Sequence, residues 1–228
     1  LSGGGGGWPD AEAPSSRAIS DYLFSEVFAS LHASDREFLL YTSILNVLTA
    51  PLCEAVTGMA ECGAILERLE RANLFVQEIG RKEGWYRYHH LFAEFLQSEL
   101  QRRGGDAKMR SLHARAGGWL ACNGEEAEAV EHYLAGGCYE QAVPLLERLL
   151  PGMIDKEWET MLRWLSAVPL ERLEESPDLL LACAFFATAF GNRPQADRLI
   201  DRCETLFGAG DAFEEPEARQ RIASLYLV

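Results

Sequence analysis

The chain has 228 residues, 48% hydrophobic and 25% charged, with a formal net charge of −14. That length leaves room for about two domains of ~100–150 residues, and the charge argues against nucleic acid as a direct partner, because phosphate binding needs clustered Lys and Arg. No stretch reaches the roughly 18 consecutive apolar residues of a membrane-spanning helix; the longest, residues 179–190, reads as a buried helix.

Five consecutive glycines with Pro9 and Pro14 make residues 1–18 a flexible lead-in, with neither the basic stretch nor the apolar core of a signal peptide. The chain does not start with Met and closes on Leu225, Tyr226, Leu227 and Val228, which reads as a segment cut from a longer protein. The six cysteines are scattered, form no C-x-x-C pair and sit mostly in apolar helical stretches. That pattern predicts free thiols in a reducing cytoplasm rather than a disulfide framework or a zinc site.

Tyr22, Leu23, Val27, Phe28 and Leu31 recur at helical spacing and predict a first amphipathic helix. Ser34 and Glu37 have the spacing of a capping box, opening a helix that buries Phe38, Leu39, Thr42 and Leu45. Pro51 sits in the first turn of a short helix that Gly58 ends. Ile65, Leu66, Leu69 and Ala72 mark another. At Leu74 the period changes. Residues 74–79 alternate like a strand, Gly80 and Gly84 bound a turn, and Trp85, Tyr86, Arg87 and Tyr88 form a second strand. A helix resumes at about His90 with Leu91, Phe92, Phe95, Leu96 and Leu100 on one face. Helices, hairpin, helix is the order of a winged-helix module.

Residues 102–105, Arg-Arg-Gly-Gly, place a domain boundary, giving a winged-helix arm over 19–103 and a helical-repeat region over 104–228. Helix pairs follow, with stops expected at Asn123-Gly124, Gly136-Gly137 and Pro151-Gly152, then helices at 155–167, 177–190 and 193–207. Trp119 to Ala127 resembles Phe186 to Ala196: an apolar helix end, a Gly turn and a second helix opening on small residues. That is the logic of tetratricopeptide-like (TPR-like) pairs, in which alanines let helices approach closely. The fold class is therefore mainly α: a winged-helix module with one β-hairpin, then a TPR-like α-superhelix.

Residues 36–45 (Arg-Glu-Phe-Leu-Leu-Tyr-Thr-Ser-Ile-Leu), 51–56 (Pro-Leu-Cys-Glu-Ala-Val) and 69–75 (Leu-Glu-Arg-Ala-Asn-Leu-Phe) resemble the MalT-like, large ATP-binding LuxR-type transcriptional regulators. The most specific match is Trp85-Tyr86-Arg87-Tyr88-His89-His90-Leu91-Phe92-Ala93-Glu94-Phe95-Leu96. Met161-Leu162-Arg163-Trp164-Leu165 with Pro169 also fits. The resemblance implies a signal-transduction ATPase with an upstream P-loop domain, a winged-helix arm, a superhelical sensor and a terminal DNA-binding helix-turn-helix. This chain would supply the arm and the start of the sensor. It contains no G-x-x-x-x-G-K-[ST], so no cofactor is expected in the chain itself and ATP or ADP only in the full-length protein. The implied partners are the upstream ATPase domain, the downstream sensor and DNA-binding domains, and an inducer or protein, with no membrane and no direct nucleic-acid contact.

His89 and His90 are adjacent at the wing-to-helix junction. Taken alone they read as structural imidazoles, one capping or partly buried. The resemblance implies that His89 contacts a phosphate of bound ADP, which an imidazole N–H can do, more strongly when charged; His90 stays structural. The segment 51–58, read as the recognition segment of the winged helix, has no Arg or Lys and one Glu, which argues against base readout. Arg81, Lys82 and Arg87 make a small basic patch on the hairpin. Trp119, Tyr133, Trp158, Trp164, Phe185, Phe186 and Tyr226 read mainly as packing aromatics. No H-E-x-x-H, no G-x-S-x-G and no spaced carboxylate pair is present, so the chain is not read as an enzyme. The expected function is a regulatory and sensor segment of an ATP-dependent, signal-responsive transcriptional activator; the alternative is a helical-repeat interaction scaffold without nucleotide switching.

Overall fold

A computed structural model describes residues 16–80, 84–153 and 156–211, with side chains described between residues 22 and 206. The chain divides into two compact units between Arg103 and Gly104. Helix α5, His90–Cys122, runs through that point, but Gly105 has φ 64° and ψ −177°, so it is two helices joined end to end.

The first unit contains α1 (Ser16–Ser30), α2 (Ala33–Thr42), α3 (Ala50–Thr57), α4 (Cys62–Arg71), β1 (Val76–Glu78), β2 (Tyr86–Tyr88) and the start of α5. The two strands pair antiparallel with Val76 opposite Tyr88 and Glu78 opposite Tyr86. Leu48 adds a third short rung: its N–H donates to Tyr86 O at 2.8 Å and its carbonyl accepts from Tyr86 N–H at 2.9 Å. Helix, bridge, two helices, hairpin and helix make a winged helix. Phe28, Phe38, Leu39, Leu66, Phe92 and Leu96 are fully or almost fully buried and form its core, each worth about 1.5–3 kcal/mol of burial.

Three sequence expectations in this unit need correction. The buried face of α1 is carried by Phe24 and Phe28, whereas Tyr22 and Leu23 are 63% and 54% exposed. The i,i+4 aromatic pair wins because Phe75, Phe92 and Phe95 supply ring partners on that side. The Ser34–Glu37 capping box does not form. The N-cap of α2 lies two residues earlier, at His32, so the helix begins at Ala33, and the Ser34 hydroxyl bonds His32 Nδ1 at 3.0 Å. Finally, the helix that leads into the hairpin, the recognition position of a winged helix, is α4 and not the 51–58 segment.

The second unit contains the rest of α5, then α6 (Glu126–Gly136), α7 (Tyr139–Met153), α8 (Trp158–Ala167), α9 (Leu170–Leu173), α10 (Pro177–Ala189) and α11 (Arg193–Asp211). Among the described residues it has no strand. Leu112, Ala116 and Leu120 of α5 are buried, as are Ala129, Val130 and Tyr133 of α6. Gly117 is required here: a Cβ at that position would stand 2.7 Å from the Tyr133 ring. Gly137, with φ 71°, closes α6 in the left-handed region. Helix α7 passes through Pro151 and ends at Met153 rather than stopping at Pro151-Gly152. The short α9 has no counterpart in the sequence expectation. Ser176 caps α10, accepting from Leu179 N–H at 3.3 Å, with Pro177 at the first helical position.

Ion pairs tie successive helix pairs of this unit. Arg163 of α8 forks onto Glu131 of α6, one arm at 2.9 Å. Arg172 of α9 reaches Glu140 of α7 at 3.5 Å. Both pairs are 32 residues apart in sequence.

Candidate functional site

The junction between β2 and α5 is built from both sides. The Tyr88 ring is buried, and its hydroxyl lies 2.6 Å from Thr42 Oγ1. Thr42 already donates its hydroxyl proton to Phe38 O at 2.7 Å, so Tyr88 donates and Thr42 accepts. Burial pushes the Tyr88 phenol well above its ordinary range, which keeps it a donor. This bond pins the end of β2 to α2.

One residue on, His89 is the N-cap of α5: its carbonyl accepts from Ala93 N–H at 3.0 Å, and its own N–H donates to Phe75 O at 2.8 Å. Phe75 has φ 58°, the left-handed region, which costs a bulky residue about 1–2 kcal/mol. Its ring recovers contacts with Phe24 at 4.9 Å and Phe92 at 5.0 Å. The backbone that aims His89 is therefore fixed by a strained turn packed under an aromatic cluster.

The His89 ring itself is uncommitted. Its Nδ1 is buried without a hydrogen-bond partner, and neither ring nitrogen has one among the described residues. Its neighbour is His90, whose ring stacks on it at 4.5 Å and 28°, while His90 itself is exposed. Buried polar atoms are normally paired, and none of the described residues pairs this one. The first-turn N–H groups of α5 have no intrahelical acceptors and carry the positive end of the helix dipole. An uncommitted imidazole at such an end suits an anion. Arg87, exposed and two residues earlier, is the nearest described cation along the chain; Arg81 and Lys82 lie outside the described residues.

The cations at the recognition position are taken. On α4, Arg68 pairs with Asp35 of α2 at 2.5 Å and Arg71 with Glu67 at 2.8 Å. Of the aromatics of the second unit, Trp164, Phe186 and Tyr133 are buried, whereas Trp158 is 39% exposed and stacks against exposed Phe190 at 5.7 Å; Tyr226 lies outside the described residues.

One pair escaped the sequence reading. His113 of α5 and His132 of α6 approach Nδ1 to Nδ1 at 2.9 Å. Burial lowers the pKa of both, that of His132 to about 4, with the His113 ring as a second cause. Nineteen residues separate them, and no motif announces the meeting; only the helical phase of two packed helices could have.

Residues 24–108 match the MalT winged helix domain. Over 206 residues the chain is 33% identical to the serine/threonine-protein kinase PknK of Mycobacterium tuberculosis, covering 90% of this chain and 18% of that protein. It is 33% identical over 188 residues to the HTH-type transcriptional regulator MalT of Klebsiella pneumoniae, and 31% identical over 187 residues to MalT of Yersinia pestis. Each MalT alignment covers 82% of this chain and 21% of the regulator. The chain thus spans about a fifth of the length of these curated relatives.

Proposed function

The chain is MalT-like, with a MalT winged helix domain at residues 24–108, and from that premise we propose that it is the switch arm and the beginning of the sensor of an ATP-dependent transcriptional activator. The observation that carries this reading is the uncommitted His89 ring at the N-terminus of α5. In the full-length protein an upstream P-loop domain holds ADP, and the arm closes on it. His89 then donates a hydrogen bond to a phosphate oxygen from the ring nitrogen opposite buried Nδ1, or from Nδ1 after a ring flip. The first-turn N–H groups of α5 supply the favourable field. His90 keeps a packing role.

On this reading the winged helix is a switch element rather than a DNA reader, because the α4 arginines are already paired with carboxylates. Catalysis is not assigned to the chain. The kinase in the relatives' names belongs to PknK, of which the alignment covers 18%, and no D-F-G or H-R-D run occurs in these residues.

Losing a charge-assisted hydrogen bond costs ~1.5–3 kcal/mol. If that bond exists only in the closed state, its loss moves the switch about ten- to a hundred-fold toward the open state. In the full-length protein, His89→Ala weakens ADP binding and raises inducer-free transcription, while His90→Ala leaves both near wild type. Unchanged ADP affinity and basal output in His89→Ala would leave the ring with a packing role alone.

A further inference from the structure

The second unit holds a cavity that none of the assignments above uses. It has a volume of about 730 Å³ and lies between the C-terminal part of α8, α9, α10 and α11. Small-molecule sites typically measure ~300–1,000 Å³. Its floor is apolar: Leu165, Leu173, Phe186 and Ala187 line it and are otherwise buried. Cys183 joins that wall as a protonated thiol, because burial pushes its pKa up to about 12.

The mouth is polar and locally positive. Arg202 grips Glu174 with two bonds, at 2.8 and 2.9 Å. Arg198, on the same lining, uses only Nε, which donates to Pro194 O at 3.0 Å. Its two terminal amino groups have no partner among the described residues. The lining thus sets two arginines against one glutamate, in a chain whose net charge is −14. Phe190, 59% exposed, also lines the cavity.

We infer that this cavity binds a small amphipathic carboxylic acid, with the hydrocarbon tail on the Leu165–Phe186 floor and the carboxylate on the free fork of Arg198. A guanidinium with both terminal amino groups unused matches the two oxygens of a carboxylate. A neutral hydrocarbon leaves that fork unused, and a polyphosphate finds a single uncommitted cation above apolar walls. The site deepens the sensor half of the proposed function. It rests on that reading for its purpose, not for its binding chemistry.

The test is isothermal titration of the 228-residue chain with decanoate and with 3-phenylpropionate, alongside decanol and acetate. At least one of the two acids binds saturably at one site, while decanol, which lacks the charge, and acetate, which lacks the tail, bind at least about tenfold more weakly. Arg198→Gln, an exposed change that leaves the fold intact, weakens the acid about tenfold. Ala187→Trp fills the cavity and abolishes binding. The acid raises the melting temperature of the wild type and not of Arg198→Gln. Absence of saturable acid binding, equal binding of decanol, or undiminished binding by Arg198→Gln overturns the proposal. None of these measurements involves nucleotide or DNA, so their failure leaves the role of His89 standing, and failure at His89 leaves this site standing.

Discussion

Acidification should loosen the second unit through the His113–His132 pair before the Glu131–Arg163 bridge weakens. The 2.9 Å Nδ1–Nδ1 approach is a hydrogen bond only if one nitrogen carries the proton and the other does not. A further proton on the accepting nitrogen breaks it. His132 has a folded pKa of about 4, against an ordinary value of 6.5. The unfolded chain therefore binds a proton that the folded one refuses, and stability falls as pH drops below ~6.5. For His132 alone the linkage gives a loss of about 2 kcal/mol by about pH 5 and about 3 kcal/mol by about pH 4; His113, lowered as well, adds to it. Glu131, whose carboxyl the Arg163 fork holds below its ordinary range, also weakens the fold in acid. Its contribution is intact above its unfolded value of 4.5 and fades only as pH falls below that, so the window from pH ~6.5 to ~5 belongs to the histidines. Urea unfolding followed by tryptophan fluorescence at about pH 7.5 and about pH 5 measures the difference for the wild type and for His132→Leu. The leucine variant should lose about 2 kcal/mol less than the wild type over that interval. Equal losses would refute the argument.

Gly117→Ala should destabilise the second unit by about 1–3 kcal/mol, since the new methyl meets the Tyr133 ring at 2.7 Å; thermal unfolding checks it, with Gly118→Ala, 3.9 Å from the Tyr133 hydroxyl, as the milder control. Thr42→Val should cost about 1–3 kcal/mol, because it strands the buried Tyr88 hydroxyl, whereas Tyr88→Phe should cost only about 0.5–1.5 kcal/mol, because Thr42 keeps its bond to Phe38 O; chemical denaturation of both variants tests the order. The chain should show no saturable, sequence-dependent binding to duplex DNA at physiological salt, where the Debye length is ~8 Å, and an anisotropy titration decides it.

The hairpin and the helix after it were legible because their signals are local: a change of period at Leu74, glycines bounding the turn, and aromatics on one strand. The capping box misled because a Ser-x-x-Glu spacing says nothing about which residue turns out of the helix, and His32 holds that place. The α1 face was misread for a different reason. Tyr22, Leu23, Phe24, Val27, Phe28 and Leu31 offer two overlapping apolar stripes, and the choice between them is made by Phe75, Phe92 and Phe95, distant in sequence. His89 could be singled out from its position, but that its ring lacks partners is a property of everything packed around it. The His113–His132 contact and the α8–α11 cavity depend on how helices cross, and no spacing in the chain encodes that directly.

The ion pairs between successive helix pairs carry a consequence for how such a chain can change in length. Glu131 to Arg163 and Glu140 to Arg172 span the same 32 residues, so two neighbouring helices keep step with the next two by a shared count. A single residue inserted inside α8 ahead of Arg163 turns that side chain by about 100° around its helix, away from Glu131. The shared count stops there, because the next bridge, Glu174 to Arg202, spans 28 residues. Changes of length therefore fall most easily in loops, such as the turn at Gly124, rather than inside the bridged helices.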